Sequence, residues 1–236
     1  MTSLRYGLKL SQNATIEQYR AVWRIADEAG FDHCWCMDHF ATLGSRDDGP
    51  IFEAWALLAA MAVATSRTRV GCAVTGNTYR HPAVLAKAAV TVDHLSGGRL
   101  EFGIGAGWAE NEHTMLGLPF STAGDRADRL EEACQVIRSL WTQERASFAG
   151  QHYQLTGAVA EPKSGSAAAP ADLGRRCRAP VHAAHRGAVR QRVECAGWLT
   201  GGGGRPVRGA GSALHRHRPR SQRDPPVGPG PGASNT

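Results

Sequence analysis

A histidine close to the N-terminus stands where it could transfer protons. Residues 33–37 form an apolar segment of strand length, and Asp38 and His39 follow it directly. An imidazole changes charge near neutral pH, so His39 can donate a proton to a bound ligand or accept one from it. The alternative is a structural histidine whose ring bonds to a backbone carbonyl. We take His39 as the candidate catalytic residue, and Asp38 and His39 as candidate ligand contacts.

Polar or glycine-rich turns end two further apolar segments, residues 69–74 and 100–104. Threonine and asparagine side chains in the first turn offer hydrogen bonds, and a glycine between them lets the backbone approach a flat ring closely. An ordinary polar turn is the alternative interpretation. The candidate ligand contacts in these turns and in the loop that follows are Thr75, Gly76, Asn77, Ala106, Gly107, Trp108 and Asn111.

Alternating strands and helices must position these turns. Residues 4–10 alternate as a first strand, and Thr15 with Gln18 makes a capping box before a helix that Gly30 ends. The order β-α-β-α-β-α-β-α predicts parallel strands with right-handed crossovers, in either a doubly wound sheet or a (β/α)₈ barrel. The other predicted elements are a helix beginning near Ile51, a helix from Pro82 to the stop at Gly97 and Gly98, a helix over residues 130–141 and a hairpin over residues 145–155.

Several motifs, in this order and spacing, resemble the luciferase-like monooxygenase superfamily, and within it the oxidoreductases that use the deazaflavin coenzyme F420. The motifs are TGNTYRHP at 75–82, LSGGRL at 95–100 and GIGAGW at 103–108, with AGFD at 29–32 and DHF at 38–40. The resemblance, which residues 4–155 carry, implies a TIM barrel and hydride transfer between F420 and an organic substrate. It also implies that His39 lies beside the deazaflavin ring, and that a non-prolyl cis peptide occurs near Thr75. FMN-dependent monooxygenation is the alternative, because the same barrel serves both cofactors.

The expected fold class is α/β: the N-terminal half of a luciferase-like TIM (β/α)₈ barrel, followed by a disordered tail. A complete barrel takes about 250 residues, whereas only four strand–helix units are readable in residues 1–157. In the family the later strands hold the cofactor phosphate, so we expect the chain to be truncated and weakly active. Some relatives have a carboxylate at the position of Trp108, and we interpret the nearby Glu110 and Glu112 as solvated loop carboxylates.

Composition divides the chain into a domain of residues 1–157 and a tail of residues 158–236. The domain holds 14 Lys and Arg against 17 Asp and Glu, a net charge of −3, and the tail holds 13 against 4, a net charge of +9. The tail contains neither Ile nor Phe, so it cannot bury enough apolar surface to offset the entropy of ordering. We predict disorder there and interpret the tail as a frameshift product. A native low-complexity tail is the alternative.

Several function classes are excluded. No metalloprotease, P-loop or serine-hydrolase motif occurs, and the cysteines lack metal-ligand spacing, so no metal is expected. Trp198 is the one aromatic residue of the tail, which argues against specific nucleic-acid binding. The longest apolar run, residues 55–65, is too short to cross a membrane and no signal peptide is visible, which predicts a cytoplasmic protein. The expected partners are a small-molecule substrate and a second copy of the chain in a homodimer.

Overall fold

The computed structural model describes residues 4–10, 13–42 and 49–163. Strands alternate with helices over most of this length. The strands are β1 (Gly7–Lys9), β2 (His33–Cys36), β3 (Arg69–Cys72), β4 (Thr75–Gly76), β5 (Leu100–Glu101), β6 (Ile104–Gly105), β7 (Ala146–Ala149) and β8 (Gln154–Ala158). The helices are α1 (Ile16–Glu28), α2 (Ala54–Ala64), α3 (Pro82–Leu95), α4 (Glu110–Leu116) and α5 (Ala123–Thr142).

Four parallel strands form the main sheet, in the order β1-β2-β3-β5. The register places His33 opposite Arg69 and Cys36 opposite Cys72. β4 pairs with β6 in parallel, and β7 pairs with β8 antiparallel. The strand order follows the chain order and never reverses, as it would at the switch point of a doubly wound sheet. The topology is therefore that of successive barrel units, and it resolves the choice that the element pattern left open.

The predicted third and fourth strands are each broken into two segments. The register between them shifts by one residue across the break, from the β3–β5 pair to the β4–β6 pair. The peptide bond between Ala73 and Val74 within the break is cis, at the strand end where the resemblance implied a non-prolyl cis peptide. A hydrogen bond of 2.9 Å from Thr75 N to Gly103 O restores the ladder beyond it. The break therefore separates the core part of the sheet from the part that carries the candidate site.

The hydrophobic core lies between the sheet and its helices. Cys34, Cys36, Val70 and Cys72 are buried on the strands, where the cysteines serve as small hydrophobic groups. The buried side chains of the helices that meet them include Tyr19, Trp23, Leu58, Met61, Leu85, Val90, Val136 and Ile137.

Capping residues determine where two helices begin. Thr15 Oγ1 accepts from the Gln18 amide at 3.3 Å, and Gln18 Oε1 accepts from the Thr15 amide at 2.8 Å, which confirms the predicted capping box. Glu53 accepts from the Ala56 amide at 2.7 Å. Because this carboxylate caps α2, the helix begins later than the predicted start near Ile51.

A short helix replaces the loop that was expected after Trp108. α4 takes up the acidic segment that begins at Glu110, and it ends at Gly117, whose φ of +66° is the left-handed conformation that stops helices. A helix of this length is too short for apolar periodicity to reveal it. A helix, unlike an irregular loop, fixes which of its side chains turn inward.

The described chain continues past the predicted domain boundary at residue 157. β8 runs to Ala158, and Ala160 is buried against the core. Residues 164–236, with the predicted disorder and frameshift, lie outside the described residues. Among the described residues, no helix combines the length and the apolar character that a membrane crossing needs.

Candidate active site

His39 lies just beyond the carboxyl end of β2, as the sequence predicted. Its Nδ1 is 3.0 Å from Oε1 of Glu112, and its ring meets the Trp108 ring edge-to-face with 5.4 Å between centroids. The side chain is 13% exposed, so part of the ring reaches solvent. The histidine is therefore held at one ring nitrogen while the ring stays accessible to a ligand.

The partner of His39 is a fully buried carboxylate. Glu112, on α4, is 0% exposed, and its Oε1 also accepts from the backbone amides of Phe40 and Ala41 at 3.2 and 3.1 Å. The Tyr79 hydroxyl donates to Oε2. Burial alone would raise the pKa of Glu112, but the hydrogen bonds from His39 and Tyr79 hold that pKa below its usual value. Glu112 is thus an ionised, buried carboxylate, and its interpretation as a solvated loop residue is wrong.

Asp38 ties two strand ends together. Its Oδ2 accepts from the Gly76 amide at 2.9 Å, and its two oxygens bind the Arg80 guanidinium at 2.6 and 2.9 Å. Arg80 also bonds Glu53. Burial raises the pKa of Asp38, and the paired guanidinium opposes that rise. Because protein groups occupy both oxygens, we interpret Asp38 as the support that fixes His39 relative to the end of β4.

Two buried polar atoms at the end of β4 have no hydrogen-bond partner in the described part of the chain. Thr75 is 0% exposed and Asn77 is 1% exposed. Among the described residues, Thr75 Oγ1 and Asn77 Oδ1 have no hydrogen-bond partner, although Asn77 Nδ2 donates to the Tyr153 hydroxyl at 3.3 Å. The thiol of Cys72, a poor hydrogen-bonding group, lies beside the Thr75 hydroxyl. Buried polar groups rarely stay unsatisfied, so these atoms mark a place where a ligand can bond.

Gly76 does lie against a flat ring, but the ring belongs to the protein. A Cβ at this position would come within 2.6 Å of ring atoms of Tyr79. The Gly76 amide is engaged as well, because it donates to Asp38. The expectation that Gly76 makes room for a ligand ring is therefore corrected. The missing side chain makes room for Tyr79, which can then reach Glu112.

The turn after β6 contributes the remaining candidates. Ala106 is buried, and Gly107 has a φ of +79°, a conformation that glycine adopts without strain. Trp108 is 59% exposed and stands against the His39 ring. Asn111 is exposed on α4, and no hydrogen bond among the described residues joins it to the other candidates. The structure thus brings the β2, β4 and β6 ends together, and Asn111 stays a predicted ligand contact on the helix that follows.

Sequence reasoning missed the residues that hold the site together. His113 is fully buried beside Glu112, and its ring nitrogens lie 2.7 Å from Ala109 O and 2.7 Å from Thr78 Oγ1. Its ring also stacks on Tyr79, with 4.9 Å between centroids. Two adjacent buried polar residues on one short helix have no periodic signature. Only the helix itself, once seen, shows that both face inward.

The site suits the ring of an organic cofactor. No cluster of three or more His, Cys, Asp or Glu side chains in the described part of the chain could hold a metal ion. The unpartnered oxygens of Thr75 and Asn77 offer a hydroxyl and a carbonyl group to a ring that carries both donors and acceptors. A deazaflavin or a flavin is such a ring, so the residues present fit either cofactor.

Comparisons with known proteins give a family and several relatives. The family model described as luciferase-like monooxygenase matches residues 1–229. An F420-dependent glucose-6-phosphate dehydrogenase from Kineococcus radiotolerans is 39% identical over 159 residues, which are 64% of this chain and 46% of that protein. The pyrimidine monooxygenase RutA from Stutzerimonas stutzeri is 31% identical over 166 residues, 66% of this chain and 46% of that protein.

A solved structure is similar as well. An F420-dependent secondary alcohol dehydrogenase in complex with an F420–acetone adduct superposes with a TM-score of 0.60 at 28% identity, over 68% of this chain and 48% of that chain. This chain therefore spans about half the length of the relatives that it matches. The fold is that of the first half of a luciferase-like TIM barrel, and the family match extends beyond residues 4–155, where the motifs lie. The chain belongs to the luciferase-like monooxygenase family.

Proposed function

We propose that this chain carries the cofactor-ring side of an F420-dependent oxidoreductase site, at which a hydride passes between the deazaflavin and an organic substrate. The deazaflavin, when bound, would supply the hydride chemistry, and the protein supplies position and electrostatics. One observation carries the proposal. His39 and the unpartnered atoms of Thr75 and Asn77 lie at neighbouring strand ends, which the hydrogen bond between Asp38 and Gly76 joins.

Each residue has a separate task in this proposal. Thr75 Oγ1 and Asn77 Oδ1 bond polar atoms of the cofactor ring, and Ala106 and Gly107 line the neighbouring wall. His39 holds or releases the proton that accompanies oxidation or reduction at a substrate oxygen, which an imidazole can do near neutral pH. Because the chain spans about half of its relatives' length, we propose weak turnover for the chain as it stands.

The names of the relatives favour F420. F420-dependent glucose-6-phosphate dehydrogenases from Kineococcus radiotolerans and Amycolatopsis mediterranei are 39% and 36% identical to this chain. The solved F420-dependent alcohol dehydrogenase shares the fold at 28% identity. These likenesses support the cofactor class. They leave the substrate open, since Trp108 stands where some F420-dependent relatives place a carboxylate.

An FMN-dependent monooxygenase of the same family is the second candidate. The pyrimidine monooxygenase matches a share of this chain as large as the dehydrogenases do. The pair of unpartnered oxygens would serve a flavin ring as well as a deazaflavin ring. An inactive fragment with a nonspecific basic tail is the remaining alternative, and the same measurement decides among the three.

Titration of the purified chain with F420 and with FMN, followed by fluorescence, tests the proposal. We expect F420 to bind at least about tenfold more tightly than FMN, a difference of about 1.4 kcal/mol. Asn77→Ala should weaken F420 binding, whereas Gln135→Ala, which removes an exposed amide of α5, should not. Tighter binding of FMN would favour the monooxygenase, and the absence of saturable binding by both cofactors would leave the inactive fragment.

A further inference from the structure

We propose that Glu112 is a positioning residue: it holds the proton of His39 on Nδ1 and thereby presents Nε2 as the nitrogen that exchanges a proton with the ligand. The inference rests on the proposed function only for the identity of that ligand. The arrangement of the two side chains is a property of the ligand-free protein, so it can be tested without any cofactor.

The imidazole is the donor in the hydrogen bond between His39 and Glu112. Nδ1 of His39 lies 3.0 Å from Oε1 of Glu112, within hydrogen-bonding distance. An ionised carboxylate can only accept, so the proton between the two atoms belongs to the ring nitrogen. A neutral imidazole carries one proton, and if Nδ1 holds it then Nε2 carries the lone pair.

Donors other than His39 hold the Glu112 carboxylate in place. Backbone amides of Phe40 and Ala41 donate to the same Oε1, and the Tyr79 hydroxyl donates to Oε2. The amides belong to the two residues that follow His39, so the acceptor and the imidazole are fixed to one short segment. Glu112 cannot turn away from His39 without breaking these bonds inside a buried site. Its position therefore determines the orientation of the ring.

Hydrogen bonds to the loop after β4 anchor α4. His113, the next residue, bonds Thr78 Oγ1 at 2.7 Å in the loop after β4. Tyr79 in that same loop bonds Glu112. Two side chains of α4 therefore attach the helix to the loop that follows Asn77. The positioning of His39 and the placement of the unpartnered oxygens thus depend on the same short helix.

Nitrogen-15 NMR of the His39 ring in the full ligand-free chain tests this inference. Long-range proton–nitrogen correlations at about pH 9, where an ordinary imidazole is neutral, identify which nitrogen carries the proton. We expect the Nδ1–H form of His39. We expect that form to be lost in Glu112→Ala and kept in Glu112→Gln, whose side-chain oxygen still accepts. Glu110→Gln, on an exposed glutamate of the same helix, is the matched control and should leave the spectrum of His39 unchanged.

Two results would overturn the inference: a wild-type ring protonated on Nε2, or an Nδ1–H form that persists in Glu112→Ala. Where Glu112→Ala does not fold, Glu112→Met removes the acceptor and fills similar space, and the wild-type spectrum decides by itself in any case. The F420 titration on the same samples separates the two proposals. An Nδ1–H ring without F420 binding upholds the role of Glu112 and rejects the function, and F420 binding with an Nε2–H ring does the reverse.

Discussion

Individual polar side chains at the site fall into two opposite groups. Glu112 is buried with donors at both oxygens, whereas Thr75 and Asn77 are buried with an oxygen that has no hydrogen-bond partner in the described part of the chain. A buried charge costs little only while its hydrogen-bond partners are in place, and an unsatisfied buried oxygen destabilises the fold until something bonds it. The first group holds the strand ends and α4 together, and we propose that the second bonds a ligand.

Removal of the Thr75 hydroxyl should therefore stabilise the protein and weaken binding. Thr75→Val keeps the shape of the side chain and removes an unpartnered buried oxygen. We expect the free energy of unfolding to rise by about 0.5–1 kcal/mol in urea titrations, and F420 affinity to fall by about tenfold. Thr91→Val, on an exposed threonine of α3, is the matched control. A loss of stability in Thr75→Val would mean that the hydroxyl already makes a stabilising bond.

The ion pair of Asp38 and Arg80 should show a pH-dependent contribution to stability. Arg80→Leu leaves a buried carboxylate without its cation, which should cost about 3–5 kcal/mol near neutral pH. Burial already raises the pKa of Asp38, and loss of Arg80 removes the charge that opposes this rise. A folded-state pKa above the unfolded value gives stability that is present at low pH and lost as pH rises. The penalty should therefore shrink as the pH falls from about 7 to about 5.

Urea unfolding of the wild type and of Arg80→Leu at the two pH values measures this effect. Asp38→Asn in the Arg80→Leu background removes the stranded charge and should recover part of the lost stability. Glu53 also faces Arg80, but it is more exposed than Asp38 and should contribute less. A penalty that does not change with pH would show that Asp38 is not the titrating group.

The sequence could predict that His39 lies at a strand end, because an apolar segment of strand length precedes it. Its catalytic role stays a prediction. The sequence could not predict Glu112, whose role depends on the inward face of a short helix. Nor could it show that Gly76 adjoins Tyr79, because that contact depends on the folded path of the loop. Polar residues at strand ends are thus easier to place from a sequence than the residues that hold them.

At the element scale, one carboxylate joins the end of a helix to the segment before a strand by accepting hydrogen bonds from backbone N–H groups. Asp27, in the last turn of α1, accepts from the amides of Ser66, Arg67 and Thr68 at 3.0, 2.8 and 2.8 Å. Burial acts to raise its pKa, but the amides of Thr68, Arg67 and Ser66 hold the pKa well below the usual value. This carboxylate therefore fixes the loop that leads from α2 into β3.

Replacement of this carboxylate should loosen the loop. Asp27→Asn places an amide group against N–H donors, and we expect a loss of about 1 kcal/mol, since the side chain is half-buried and still reaches solvent. A folded-state pKa below the unfolded value gives stability that is present at neutral pH and lost on acidification. The difference from wild type should thus close as the pH falls below about 4. Thermal unfolding across this range measures it, with Glu28→Gln as the exposed control. A gap that persists in acid would contradict the account.

Element boundaries were predictable where a local signal sets them. The capping box at Thr15 and Gln18 and the glycine stop after α3 are such signals, and the structure confirms them. The break between β3 and β4 has no such signal. It is revealed only by the pairing register, which shifts by one residue between the β3–β5 pair and the β4–β6 pair. It was therefore easier to predict whether a segment is a helix or a strand than to predict where a strand is interrupted.

At the scale of the whole molecule, β1 lies at an edge of the sheet that no other described strand covers. In the described part of the chain β1 pairs only with β2, and the preceding Leu4 and Tyr6 are 79% and 62% exposed. An unpaired edge beside apolar side chains promotes association between chains. We therefore expect sedimentation velocity to show concentration-dependent association.

Charges beside this edge should suppress the association. The double variant Leu4→Lys with Tyr6→Lys adds two positive charges next to β1 without changing its backbone, and charged side chains are a common protection of edge strands. Val159→Lys, at an exposed apolar residue after β8, is the control and should associate like the wild type. Equal association of the wild type and the double variant would place the contact elsewhere.

The central claim is that the ends of β2, β4 and β6 form the ring side of a cofactor site. Amide chemical-shift mapping of the full chain with the phosphate-free deazaflavin chromophore tests it most directly, because this probe isolates the ring from its phosphate. The account predicts saturable shifts at His39, Asn77 and Gly107, with the amides of Ser66, Arg67 and Thr68, before the start of β3, unchanged. Shifts confined to the residues before β3, or no saturable shift at the three strand ends, would contradict it.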